Sequence, residues 1–237
     1  MTSDNFISFL KKENISIDKD KLDKFQKFLF LLIEENKKTN LTSIVEKDEI
    51  YEKHFFDSLS PFFKKKIIID EGKKILDIGT GGGFPSIPIK IVFPNLELTA
   101  LDSVTKKVNF VSYASKKILL ENFNVSNERA EIFSRKNEEK FDFIFSRATG
   151  PISVVLEIGI RALKVGGKFI LWKGKNVDFD IEEAKEAEKI LGLKLVEKQS
   201  VILPTSNVKR YNLIYIKERK TPNLFPREFK KIKKEML

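Results

Sequence analysis

From residue 73 onward, short apolar runs alternate with amphipathic segments, and few folds accept that rhythm. Seven runs read as strands: KILDIG (74–79), LELTALD (96–102), FNVSNER (123–129), FDFIFSR (141–147), KFILWKG (168–174), KLVEKQSVIL (194–203) and YNLIYIKE (211–218). Helices are predicted over 85–93, 105–119, 151–163 and 180–191. Strand–helix alternation of this kind gives a parallel sheet covered on both faces. The last two runs have no helix-length segment between them, so they are expected to pair as a hairpin around LPTSNVKR, with the final strand antiparallel. Residues 1–66 differ in texture. LDKFQKFLFLLIEENKK places apolar residues at 22, 25, 28, 29, 32 and 33, a helical spacing. The expected organisation is a helical N-terminal extension over 1–66, an α/β domain over 67–218 and a basic tail over 219–237.

The turn after the first strand carries the chemistry. In LDIGTGGGFPSIP, Gly79, Gly81, Gly82 and Gly83 follow the strand directly and Pro85 and Pro88 suit the first turn of a helix. Missing β-carbons let the chain bend sharply and let a ligand touch backbone. In sheets of this class ligands lie beyond the carboxyl ends of the strands. A dinucleotide fingerprint counted from Gly79 would require glycine where Phe84 stands, and the Gly-Lys-Ser/Thr of a P-loop is absent. What remains is Asp77-x-Gly79-x-Gly81, with a second acid, Asp102, closing the next strand. An acid before the first glycine suits a ligand with a cationic end, and Asp102 can accept from two ribose hydroxyls. Adenosine joined to a cationic amino acid is S-adenosylmethionine. The alternative is a tight turn that binds nothing.

Composition narrows the chemistry further. With no Cys and a single His, thiol nucleophiles, disulfides and thiolate or histidine zinc sites are excluded. The longest purely apolar run, FLFLLI (28–33), is far too short to span a bilayer, and the start of the chain has no secretory pattern, so a soluble cytoplasmic protein is expected, acting as a monomer. The formal net charge is +10 (44 − 34); residues 1–70 are neutral, with 13 basic and 13 acidic groups, whereas residues 217–237 carry 8 and 3. A polyanion would be drawn to the centre and tail, although a lysine-rich solvated surface reads the same way.

The chain resembles the bacterial 16S ribosomal RNA guanine-N7 methyltransferase family, also called glucose-inhibited division protein B. The matching pieces are NLTS (40–43), HFFDSLS (54–60), LDIGTGGGFPSIP (76–88), LDS (101–103), ERAEIF (128–133), FDFIFSRA (141–148), GG followed by LWKG (166–174) and FPR (225–227). The resemblance implies a Rossmann-like class I S-adenosylmethionine-dependent methyltransferase, a seven-stranded sheet with a helical N-terminal extension, and methyl transfer to guanine N7 in 16S ribosomal RNA of the small subunit. It places the cofactor on Gly79, Phe84, Ala130, Glu131 and Arg147. Together with the residue reading, the expected cofactor-binding set is Asp77, Gly79, Gly81, Gly83, Phe84, Asp102, Ser103, Ala130, Glu131 and Arg147. The family tail is usually glycine- and proline-containing after Pro-Arg, whereas EFKKIKKEML follows here.

Arg147 is expected to project from the sheet edge, clamping a carboxylate or phosphate, or else pairing with Asp77 or Asp102. His54, Asp57 and Ser58 lie at i, i+3 and i+4. Residues on adjoining turns of one helix do not align as an acyl-transfer triad, so His54 and Asp57, with Arg147, are positioning candidates rather than catalysts. Trp172 and Phe84 could stack on a base or belong to the core. The absent cysteine excludes pyrimidine-C5 chemistry, and SRAT stands where exocyclic-amine methyltransferases commonly carry an Asn/Asp-Pro-Pro-aromatic loop. Guanine N7 has a lone pair and no proton, so its methylation needs alignment rather than a base. The rival readings are a methyltransferase of another RNA or a small molecule, a non-enzymatic RNA-binding scaffold, and an NAD-dependent oxidoreductase, which Phe84 disfavours.

Overall fold

The computed structural model describes residues 1–147 and 150–237. Its centre is a seven-stranded sheet of order β3-β2-β1-β4-β5-β7-β6. The strands are β1 (Lys74–Ile78), β2 (Glu97–Asp102), β3 (Phe123–Asn127), β4 (Phe141–Arg147), β5 (Leu163–Lys173), β6 (Leu193–Ile202) and β7 (Lys209–Lys217). The first five are parallel, and β7 lies antiparallel to both β5 and β6. The hairpin and the antiparallel last strand are therefore as the missing helix between them required. Order reverses between β1 and β4, so the carboxyl ends there diverge and leave the crevice in which such sheets take ligands.

Side chains alternate across the sheet with the period of two expected of strands. Ile75, Leu98, Phe143, Phe145 and Ile170 enter one core, and Leu76, Ile78, Leu101, Ile144 and Leu171 enter the other. The first core is covered by α1 (Ser3–Lys12), α2 (Lys19–Thr39), a broken helical run over residues 47–65, α5 (Ser86–Val92) and α6 (Thr105–Lys117). The broken run consists of α3 (Lys47–Ile50), a π-helical segment Tyr51–Phe56, α4 (Asp57–Leu59) and 3₁₀ turns Ser60–Lys65. The second core is covered by α7 (Ala130–Lys136), α8 (Ile152–Gly159), α10 (Lys185–Leu191), which follows α9 (Val177–Glu183), and α11 (Phe229–Lys234). No helix among the described residues is long and apolar enough to cross a membrane.

The N-terminal helices share the sheet's core rather than standing beside it. Phe55 is fully buried at the hub of an aromatic cluster, within 5.1–6.2 Å (ring centroids) of Phe6, Phe25, Phe28, Tyr51 and Phe84. Phe84 brings the glycine turn into that cluster. Several boundaries depart from the sequence reading. β5 begins at Leu163 rather than 168, bending through Gly166 at φ +80°. The segment expected as one helix over 180–191 is two short helices meeting at Ala184. α7 was not anticipated, because seven residues are too few to show a helical period. Phe55→Ala is expected to lower unfolding free energy by about 3–5 kcal/mol, as aromatic-to-alanine changes in packed cores do, measured by urea denaturation.

Candidate active site

Two cavities lie at the carboxyl edge of the sheet. The first, of about 460 Å³, is bounded by Gly79 at the end of β1, Asp102 and Ser103 at the end of β2, Ala130 and Glu131 at the start of α7, and Val154 and Ile158 on α8. That size and mixture of apolar walls with a few polar groups suits a nucleoside-sized ligand. Its floor is built by the glycine turn. The Gly79 and Thr80 amides both donate to the Leu101 carbonyl, at 2.8 and 3.1 Å, tying the turn to β2. Gly83 sits at φ +93°, where a side chain is strained, and a β-carbon there would lie 2.6 Å from Ile87 Cδ1 and have to displace it. The Asp102 carboxylate is oriented by two amides: Gly81 N–H donates to Oδ2 (3.0 Å) and Val104 N–H to Oδ1 (2.9 Å). Each oxygen keeps a lone pair, so a carboxylate held this rigidly can still accept from a ligand hydroxyl.

Of the expected cofactor residues, Gly79, Asp102, Ser103, Ala130 and Glu131 line this cleft. Glu131, in the first turn of α7, is buried, and its Oε1 accepts from Arg129 Nε at 2.6 Å. Gly81 and Gly83 shape the turn without lining the cleft. Asp77 is fully buried beneath the turn and faces neither cavity, so the cationic ligand end expected to meet it has no open path there. Neither Asp77 oxygen has a well-aligned hydrogen-bond partner; the nearby Thr80 and Ser86 hydroxyls bond each other at 2.5 Å. Burial pushes the Asp77 carboxyl up to about 7, only partly opposed by those hydroxyls.

The second cavity, of about 540 Å³, is lined by His54, Asp57, Arg147, Arg210, Lys53, Lys173 and Lys175 among others. Arg147, at the end of β4, meets none of the acids expected of it. Its Nη1 donates to the Lys53 carbonyl (2.9 Å) and to Asp57 Oδ2 (3.1 Å), and its Nη2 donates to His54 Nδ1 (2.9 Å). The reason is topological: the broken helical run carries Asp57 over the end of β4, while Asp77 stays under the turn and Asp102 is held by backbone. Because guanidinium only donates, His54 Nδ1 must accept, leaving Nε2–H to donate to Thr42 Oγ1 at 2.9 Å. Burial, reinforced by Arg147, pulls the imidazole down to about 3, so it is neutral. Burial also pushes the Asp57 carboxyl up, against the pull of Arg147 and Arg210. Asp57 Oδ1 is walled off from the cavity, with Arg210 Nε 4.0 Å away.

Ser58 is no triad member: its hydroxyl donates to the His54 carbonyl at 2.6 Å. Phe84 is buried and stacks on the His54 ring at 4.4 Å, and Trp172 is buried with Nε1 donating to the Asp57 carbonyl at 2.9 Å. Both are core residues, not open stacking platforms. Thr42, Lys53 and Arg210 were not singled out individually by sequence reading; Thr42 lies in NLTS, and its hydroxyl meets His54. Ala148 and Thr149, which complete the SRAT stretch, lie outside the described residues.

A mostly parallel seven-stranded sheet with this order, a glycine turn after β1 and an acid closing β2 defines the fold of the class I S-adenosylmethionine-dependent methyltransferases. Solved structures agree at the level of fold: a SAM-dependent methyltransferase from Aquifex aeolicus (TM-score 0.51, 18% identity, 71% of this chain and 93% of that one) and the Methanococcus jannaschii fibrillarin pre-rRNA processing protein (TM-score 0.50, 20% identity, 65% and 71%). The family model GidB, rRNA small subunit methyltransferase G, matches residues 21–221. Proteins named ribosomal RNA small subunit methyltransferase G match nearly end to end: 44% identity in Mesoplasma florum (97% of this chain, 92% of that one), 42% in Mycoplasma capricolum (98% of each) and 38% in Lactococcus lactis (96% of each). The chain belongs to the GidB family of small-subunit ribosomal RNA methyltransferases.

The raised Asp77 carboxyl has a testable sign. The native state holds this proton more tightly than the unfolded chain, so wild-type stability falls as pH rises from about 4 to about 7, with a slope of up to about 1.4 kcal/mol per pH unit. Asp77→Asn removes that dependence. The stability difference between variant and wild type, from denaturation at each pH, is expected to grow in the variant's favour across this window and to be level outside it.

Proposed function

We propose that this protein transfers the methyl group of S-adenosylmethionine to N7 of a guanine in 16S ribosomal RNA, acting as a cytoplasmic monomer on the small subunit. Family membership supports the substrate class. The observation that carries the N7 assignment is the state of His54: neutral, its Nδ1 lone pair taken by Arg147, its other nitrogen donating to Thr42. Asp57 is paired through Oδ2 and walled off at Oδ1. Neither group can accept a proton from an incoming acceptor, and guanine N7 has none to give.

The first cleft fits the cofactor. Leu101, Val154 and Ile158 would flank the purine, Asp102 would accept from the ribose hydroxyls, Glu131 would accept from the adenine amino group beside Ala130, and bare backbone at Gly79 allows close approach. When bound, the cofactor supplies an electrophilic sulfonium methyl group. The chain's own contribution is to bind, to exclude water and to hold acceptor and donor in line, which can lower a barrier by several kcal/mol. Lys53, Lys173, Lys175 and Arg210 around the second cavity would neutralise RNA phosphates. Arg147 acts as a positioning residue, fixing His54 and Asp57.

A second reading, methylation of a small molecule, separates by salt. Incubation with labelled S-adenosylmethionine and unmodified small subunits, followed by nucleoside digestion, is expected to yield 7-methylguanosine. Subunit affinity is expected to fall linearly in log–log form with salt, and Lys175→Ala to reduce that slope by about 1. Label in another nucleoside, or salt-independent binding, contradicts the reading.

A further inference from the structure

The basic tail folds back so that three of its residues line the first cleft. Arg227 anchors it to α8. Its Nε and Nη2 donate to Glu157 Oε1 and Oε2 at 2.8 and 2.7 Å, and its backbone N–H donates to Oε1 at 3.0 Å. Glu157 is fully buried, so this two-pronged pair is a fixed joint rather than a loose surface contact. Arg161 Nη1 adds bonds to the carbonyls of Asn223 and Phe225, each at 3.2 Å, and Ile232 is fully buried against the second core. So anchored, α11 and the residues after it set Phe229, Lys233 and Met236 in the lining of the cleft that Gly79 and Asp102 also line.

Two features mark this wall as built for a ligand. Phe229 lies under the Arg129 guanidinium at 4.1 Å, and the same guanidinium donates to Glu131 at 2.6 Å, so one chain of contacts ties the tail to the acid that lines the cleft. Met236 lines the same cleft while leaving 55% of its surface open. A thioether and a half-buried phenyl ring facing a nucleoside-sized space are the groups that purines pack against.

We infer that Phe229 and Met236 form the outer wall of the adenosine site, so that the divergent C-terminal segment of this chain is a cofactor-binding element. This rests on the assignment of the first cleft to S-adenosylmethionine. Of the basic residues of α11, Lys230, Lys231 and Lys234 are exposed outside the cleft, while Lys233 lines it beside Phe229.

The test titrates S-adenosylhomocysteine by calorimetry into the full chain and into Phe229→Ala, Phe229→Tyr, Met236→Ala and Asp102→Ala, with the melting temperature of each ligand-free protein recorded. Phe229→Ala is expected to bind about tenfold or more weakly, the order that loss of an aromatic–base contact gives. Phe229→Tyr is expected to bind within about threefold of wild type, with ligand-free melting unchanged in both. The ligand is also expected to slow tryptic cleavage after Lys230, Lys231, Lys233 and Lys234 in the wild-type chain. Wild-type affinity in both Phe229→Ala and Met236→Ala, with Asp102→Ala impaired, overturns the inference and leaves the cleft assignment standing. Equal losses in Phe229→Ala and Phe229→Tyr with lowered melting overturn it in favour of a purely structural role. No binding by the wild-type chain overturns the cleft assignment itself.

Discussion

The architecture depends on one partly buried cation at the carboxyl edge of the sheet. Arg147 ends β4 at the point where strand order reverses, and a guanidinium there is tolerable only with full hydrogen bonding. The sheet supplies none of the partners described for it. They come from the N-terminal extension: the Lys53 carbonyl, the Asp57 carboxylate and His54 Nδ1. Conversely, Asp57 and His54 could not be buried without a donor of that geometry. Extension and sheet therefore require each other, and the same bonds fix the tautomer of His54 and the wall of the second cavity. The π-helical segment Tyr51–Phe56 leads His54 and Asp57 toward the end of β4.

The glycine turn works in both directions from a single segment. Gly79 lines the first cleft, while Phe84 packs into the core, stacked on His54 and against Phe28 at 5.4 Å. A third glycine in the dinucleotide pattern would remove that plug. The residue that argued against a dinucleotide site is the link between the glycine turn and the N-terminal helices.

Much of this was legible in the sequence because it is periodic or local. The strand runs, the hairpin that closes the sheet and the acid ending β2 are set by near neighbours, and each stands within a few residues of its expected place. What could not be read is long-range pairing. Arg147 finds Asp57 across 90 positions and Arg227 finds Glu157 across 70, and no local pattern selects those partners over Asp77 or Asp102. Asp77 misled for a related reason. Its spacing before the glycines suggested a ligand contact, but a side chain at the end of β1 can turn inward under the loop, and only the three-dimensional turn decides which. The segment was read as a basic tail, whereas its buried apolar residues, Phe225 and Ile232, direct how it docks.

The proposed methyl transfer proceeds without proton removal from the acceptor, with a neutral His54 held in place by Arg147 beside Asp57. The pH dependence of single-turnover methyl transfer on small subunits, with cofactor saturating, tests this most directly. The rate is expected to be level between about pH 6 and pH 8, since His54 does not titrate in that range and guanine N7 releases no proton. A rate rising tenfold per pH unit anywhere in that interval would show that a base must be unprotonated for reaction, and would contradict it.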